Sequence, residues 1–232
     1  MAFTALWTEH GFWCIENDGV RAFLFEGKEK ALLIDTTRSA GLGEFVKTLT
    51  DKPVMVATTH ADGDHTASDN EFTEQYIHPS EFDYYSAKAP MPKHVQPIWE
   101  GGKLDIGTFC FEAVLIPGHT PGSLLFLERG KRFAIGGDSI QTGTIYMFGA
   151  GRNFNSYVAS MEKLLGYMDA VDTIYSSHNE LMISPSMIPE LLEGAKGFMR
   201  GEATYEDAPG RMPSEVKIAT CGKAHFFAKK PE

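Results

Sequence analysis

The sequence predicts an α/β fold in which mixed β-structure is flanked by helices. Two observations carry this. Early β-prone runs follow one another like hairpins, whereas later runs are separated by helical stretches. That combined order implies a mixed sheet, or two sheets, with helices outside. A hydrophobic share of 43% supplies enough apolar side chain for a sizeable core. Residues 1–232 are expected to form a single domain, because layered folds of this length commonly make one unit.

The elements follow in order. G-F-W-C-I-E, V-R-A-F-L-F-E and K-A-L-L-I-D are strands, parted by the turn signals N-D-G and E-G-K-E. Residues 42–49 suit a helix, and P-V-M-V-A-T-T a buried strand. Residues 66–75 suit a second helix. Y-I-H-P-S-E is a strand running to Ser80, which is placed to cap the next helix. The Pro-rich stretch 87–99 has no clear period and is expected to be a loop or lid. Strands resume in F-C-F-E-A-V-L-I-P-G-H, L-L-F-L-E and R-F-A-I-G-G-D. A helix over 154–169, the strand T-I-Y-S-S-H and a helix over 187–199 come next, with E-V-K-I-A-T and A-H-F-F-A-K as closing strands.

Charge and cysteine usage narrow the function classes. The formal net charge of -10, with 31 acids against 21 Lys and Arg, disfavours nucleic acid and anionic membranes as partners. Cys14, Cys110 and Cys221 are odd in number and form no C-x-x-C, so neither a disulfide framework nor a cysteine-zinc site is expected. Cys110, on an alternating strand, reads as a core residue. The first residues lack a basic segment followed by an apolar one, and no apolar run approaches the ~20 residues of a membrane helix. The expectation is a reduced cytoplasmic protein acting on a small molecule.

The chemistry concentrates in T-T-H-A-D-G-D-H-T-A, where His60, Asp62, Asp64 and His65 are separated only by Ala61 and Gly63. Imidazoles and carboxylates ligate zinc, iron and manganese. Alone, such a cluster reads equally well as a solvated acidic loop. Three later residues shift the weight: His119 in I-P-G-H-T-P-G, Asp138 in A-I-G-G-D-S and His178 in I-Y-S-S-H-N-E. Each ends a β-prone run, and together they make seven ligands in four segments, enough for two ions.

The order H-x-D-x-D-H, G-H-T-P-G-S, G-G-D-S, S-H-N-E resembles the metallo-β-lactamase superfamily, and among its branches the glyoxalase II-like hydrolases. The resemblance implies a four-layer αββα sandwich with a metal site at one edge between two sheets. It implies that His60, Asp62 and His119 hold one divalent ion, that Asp64, His65 and His178 hold a second, and that Asp138 bridges them. Zinc is the first expectation, with iron or manganese as alternatives. Where the superfamily usually has H-x-H-x-D-H, this chain has Asp62, and a carboxylate there is similar to the flavodiiron pattern H-x-E-x-D-H. Two divalent ions, three aspartates and a bridging hydroxide make a near-neutral shell, one unit more negative than a shell with an imidazole at that position. Harder ions gain from the extra oxygen ligand.

The expected reaction is hydrolysis of a thioester, lactone or related ester by a metal-bound hydroxide, with Asp64 as ligand and orienter. G-G-D-S lacks the G-x-S-x-G elbow of a serine nucleophile. Tyr146 is a candidate oxyanion donor and Arg152 a candidate anion clamp, although each alone reads more simply as a packing or loop residue. The alternatives are a di-iron redox protein without a flavodoxin domain and a binding module without catalysis. Oligomeric state is left open.

Overall fold

The computed structural model describes residues 2–230. Seven strands succeed one another in the first sheet: β1 (Thr4–Trp7), β2 (Trp13–Asn17), β3 (Val20–Glu26), β4 (Ala31–Ile34), β5 (Val54–Ala57), β6 (Gln75–Ile77) and β7 (Val95–Pro97). The first four pair antiparallel through short connections, and β4 to β7 pair parallel. The switch follows from connection length, since parallel neighbours need a crossover.

The chain continues with β8 (Lys103–Asp105), β9 (Cys110–Leu115), β10 (Leu124–Glu128), β11 (Phe133–Ile135), β12 (Thr144–Tyr146), β13 (Thr173–Tyr175), β14 (Met182–Ile183), β15 (Thr204–Asp207), β16 (Val216–Cys221) and β17 (Ala224–Lys229). The second sheet has the order β14-β13-β11-β10-β9-β8, and a smaller third has β12-β17-β16-β15. The α-helices are α1 (Leu42–Val46), α2 (Gly63–Thr66), α3 (Phe82–Ser86), α4 (Phe154–Leu165) and α5 (Met187–Met199).

The central strands of the two main sheets are buried on both faces, so they are apolar at successive positions. On β3, Phe23 and Phe25 point to the space between the sheets, where they join Phe12, Phe111, Phe126, Phe133 and Tyr175. Ala22 and Leu24, one position out of phase, pack with Leu42 and Val46 of α1. The period of two makes one strand serve two layers. On the far side of the second sheet, Val114, Leu125 and Ala134 pack with Tyr157 and Met161 of α4, Leu191 and Ala195 of α5, and Phe226 of the third sheet. The layers are therefore helix, sheet, sheet, helix, the αββα sandwich.

Several local expectations are corrected. The helix over 66–75 is absent: α2 ends at Thr66, a 3-10 turn occupies Asp69–Glu71, and Gln75 begins β6. Gln75 is pulled into the sheet by parallel pairing with Val56, while its side chain donates to the Asp69 carbonyl. Ser80 caps nothing with its side chain. Instead its amide donates to His78 Nδ1, which starts a 3-10 turn ahead of α3. Within the Pro-rich stretch, Val95–Pro97 is an edge strand parallel to β6 rather than free loop. Cys110 is exposed, because Phe111 takes the inward position at the start of β9. The strands β1, β8, β12, β14 and β15 carry little local signal and fall outside the strands that the sequence predicts.

Candidate metal centre

Topology brings the ionisable residues to one edge. β11 is parallel to β13 and antiparallel to β10, which is antiparallel to β9. Hence β9, β11 and β13 run the same way, and His119, Asp138 and His178 follow their C-terminal ends. Across the gap, β5 ends at Ala57 and the chain carries His60 to His65 into α2. The Leu124 amide donates to the Thr59 carbonyl at 2.8 Å and ties the two sheets together there. Gly118 adopts φ 139, and an added Cβ would collide with the Tyr157 backbone on α4. Only glycine lets the His119 loop lie this close to the helix.

The side chains form two groups that share Asp138. His60, His119 and Asp138 offer ligand atoms within 4.8 Å of one another, and so do Asp64, His65 and His178. Asp138 Oδ2 lies 4.0 Å from His60 Nε2, 3.9 Å from His119 Nε2 and 3.3 Å from His178 Nε2. Its Oδ1 lies 3.2 Å from His65 Nε2. Asp62 Oδ2 is 3.5 Å from His60 Nε2 and 3.3 Å from His119 Nε2. Asp64 Oδ2 is 3.6 Å from His178 Nε2, and Asp64 Oδ1 is 4.0 Å from His65 Nε2. All seven residues singled out in the sequence therefore converge on one place.

The tautomers follow from the other ring nitrogens. His119 Nδ1 donates to the Tyr146 carbonyl and His178 Nδ1 to the Gly19 carbonyl, each at 2.9 Å. His65 Nδ1 lies 2.9 Å from Asp35 Oδ2. Thr59 Oγ1 gives its own proton to Asp35, so it accepts from His60 Nδ1 at 3.0 Å. With a hydrogen on each Nδ1, every Nε2 presents a lone pair. Buried His60 Nε2, His65 Nε2, His119 Nε2 and Asp138 Oδ1 have no hydrogen-bond partner among the described residues. Lone pairs and carboxylate oxygens facing each other at 3–4 Å repel unless positive charge lies between them. The donor set thus fits divalent cations.

The neighbouring groups also shift one another's proton affinity. Burial would lower the His65 pKa, yet the neighbouring Asp138 and Asp35 raise it well above the ordinary value. Burial likewise opposes protonation of His178, and Asp138 reverses it. Burial would raise Asp138, but facing His65 and His178 hold it well below the usual carboxylate range. Asp62 is depressed in the same way, with burial outweighed by His119 and His60. His119 goes the other way: burial lowers it despite the nearby Asp62 carboxylate.

The candidate substrate contacts fare differently. Tyr146 lines a cavity of about 880 Å³ at the site with Arg21, Arg38, Asp64, His178, Arg211, Met212 and Phe227. Its hydroxyl donates to Met212 Sδ at 3.6 Å. Arg152 is corrected: it is no anion clamp open to the cavity, because its side chain is only 4% exposed and Nη2 donates to Asp62 Oδ2 at 2.5 Å. Lys88 Nζ is 2.9 Å from Asp62 Oδ1. Beyond the near-neutral set of ligands expected from the sequence, Asp62 thus has two cationic neighbours that no local stretch of sequence indicates.

Reading the sequence also missed Asp35, which holds His65 and Thr59. It ends K-A-L-L-I-D, and a carboxylate ending an apolar strand is the same signal that marked Asp138. Tyr84, Lys88, Arg38 and Arg211 have no such local mark.

A two-sheet sandwich with a His/Asp cation site at its edge defines the metallo-β-lactamase class of fold. The chain belongs to the metallo-beta-lactamase superfamily, whose family model matches residues 16–178. It is 25% identical over 255 residues to the acyl-coenzyme A thioesterase MBLAC2 of Gallus gallus, covering 90% of this chain and 87% of that protein. It is 26% identical over 208 residues to a hydroxyacylglutathione hydrolase of Francisella philomiragia, covering 89% and 81%. A 28% identical match to the uncharacterized YobT of Bacillus subtilis spans 53% of this chain and 62% of that protein, less than two thirds of its length. A metallo-beta-lactamase from Pontibacter korlensis has the same fold, with a TM-score of 0.70 at 16% identity, covering 82% of this chain and 97% of that one. Among the described residues no helix is long and apolar enough to cross a membrane.

Proposed function

We propose that the protein is a dinuclear metal-dependent hydrolase of thioesters, with lactones and related esters as the neighbouring substrate class. The observation that carries this is Asp138 lying between two histidine groups whose Nε2 lone pairs all face inward. In this reading His60, His119 and Asp62 hold one ion, Asp64, His65 and His178 hold the other, and Asp138 is common to both. When bound, such a pair supplies Lewis acidity that activates water and polarises the scissile carbonyl.

The chain's own residues do the remainder. Asp64 is part-exposed and lines the cavity, so it orients the attacking water and accepts its hydrogen bond. Arg38 Nη2, 3.3 Å from Asp64 Oδ2, fixes the carboxylate that does this. Arg211, exposed at the cavity mouth, meets an anionic end of the substrate, and Met212 and Phe227 cover its apolar part. The relatives named as an acyl-coenzyme A thioesterase and a hydroxyacylglutathione hydrolase support a thioester over other esters.

The test pairs metal quantification with a panel of thioester, lactone, β-lactam and phosphodiester substrates. The expected result is about two divalent ions per chain and turnover fastest on a thioester, with Asp64→Asn lowering kcat/KM by roughly 10²–10⁴-fold. Two irons with oxygen or nitric oxide consumption and no hydrolysis would defeat the proposal.

A further inference from the structure

Asp62 stands where the commoner motif has an imidazole, and its surroundings are built for a carboxylate. Oδ1 accepts from the Tyr84 hydroxyl at 2.6 Å and from Lys88 Nζ at 2.9 Å. Oδ2 faces His60 and His119 Nε2 and accepts from Arg152 Nη2 at 2.5 Å. Arg152 Nη1 in turn donates to the Tyr84 oxygen at 2.7 Å. Asp62, Tyr84 and Arg152 thus close a ring of hydrogen bonds. Asp62 occupies the N-cap position of α2 but does not cap it with its side chain, since both oxygens are turned to this ring.

The partners come from separate parts of the chain. Tyr84 lies on α3, Lys88 just beyond it, and Arg152 immediately before Asn153, the cap of α4. A guanidinium this deeply buried is costly unless paired, and Asp62 is its carboxylate partner. Lys88 is 40% exposed and can turn to solvent, whereas Arg152 cannot.

We propose that Arg152 is a positioning residue that makes Asp62 equivalent in charge to the imidazole it replaces. The two form one neutral ligand unit on the His60–His119 side, exchangeable for histidine only together. This rests on the reading of the site as a metal centre. Asp62→His by itself is therefore not a gain for zinc: that change leaves the buried guanidinium unpaired and adds its charge to the ion's.

The test is a double-mutant cycle on the full chain, read as zinc content and zinc affinity against a chromophoric chelator. Asp62→His alone is expected to weaken the first equivalent by at least about tenfold, and Asp62→His with Arg152→Met to recover most of that loss. A separate arm uses Arg152→Met in the native background, which leaves a full carboxylate. Competition between manganese and zinc is expected to move toward manganese by about threefold or more, a shift that a merely structural role would not produce. This arm decides the matter if Asp62→His fails to fold, as judged by circular dichroism and retention of the second equivalent.

Single and double variants of equal affinity, or an unchanged manganese-to-zinc ratio, overturn the proposal while leaving the metal centre standing. Native protein that takes up no divalent ion overturns both.

Discussion

Asp69 shows how far one buried side chain here departs from its solution behaviour. It lies in the 3-10 turn after α2, where Thr36 Oγ1 donates to Oδ1 at 2.7 Å and Tyr85 OH to Oδ2 at 3.0 Å. Burial pushes its pKa up to about 7, and those hydrogen bonds only partly oppose this. The folded state therefore holds the proton more tightly than the unfolded chain. The resulting stabilisation is complete below about pH 4 and is lost as pH rises through about 7. Asp69→Asn is expected to leave stability near pH 4 little changed and to raise it at pH 8 by up to about 4 kcal/mol. Urea unfolding at the two pH values checks this, and an equal effect at both would count against it. None of this was legible beforehand, because a carboxylate in S-D-N-E reads as a solvated turn until Thr36 and Tyr85 are folded over it.

At the scale of elements, the strand ends matter more than the strands. The approach of the His119 loop to α4 depends on Gly118, at a φ that other residues rarely adopt. Gly118→Ala is expected to destabilise the fold by roughly 2–4 kcal/mol, through backbone strain and the collision with Tyr157. Because the loop carries His119, the same change is expected to reduce divalent-ion content. Denaturant midpoint and metal analysis on one preparation check both effects, and native-like values of each would show that the loop has room to move. The apolar strands were legible because period-two burial is a local pattern, as V-R-A-F-L-F-E illustrates. The short elements were not. β12 is three residues long and exists through parallel pairing with β17, about eighty positions away in the chain. The helix expected over 66–75 failed for the same reason, since pairing with β5 outweighs local propensity at Gln75.

For the whole molecule, the two main sheets are held face to face by aromatic rings. Phe133 is central: it stacks on Phe12 at 5.4 Å and lies edge-on to Phe111 at 5.9 Å and Tyr175 at 5.7 Å. Since β11 carries both Phe133 and the chain leading to Asp138, packing between the sheets and the placing of the shared carboxylate depend on one strand. Phe133→Ala is expected to cost about 3–5 kcal/mol in chemical denaturation. A loss under about 1 kcal/mol would mean that the sheets repack around the gap.

By itself the sequence determined the ligand types, their order and their places after strands, because strand periodicity and the small residues that end strands are written in neighbouring positions. It thereby determined the superfamily and the sandwich. Tertiary structure decided what surrounds those ligands. Asp35 beneath His65 and Arg152 against Asp62 meet across 30 and 90 positions of chain. The charge of a buried site is the sum over everything the fold brings within a few ångströms, and no local stretch of residues contains that sum.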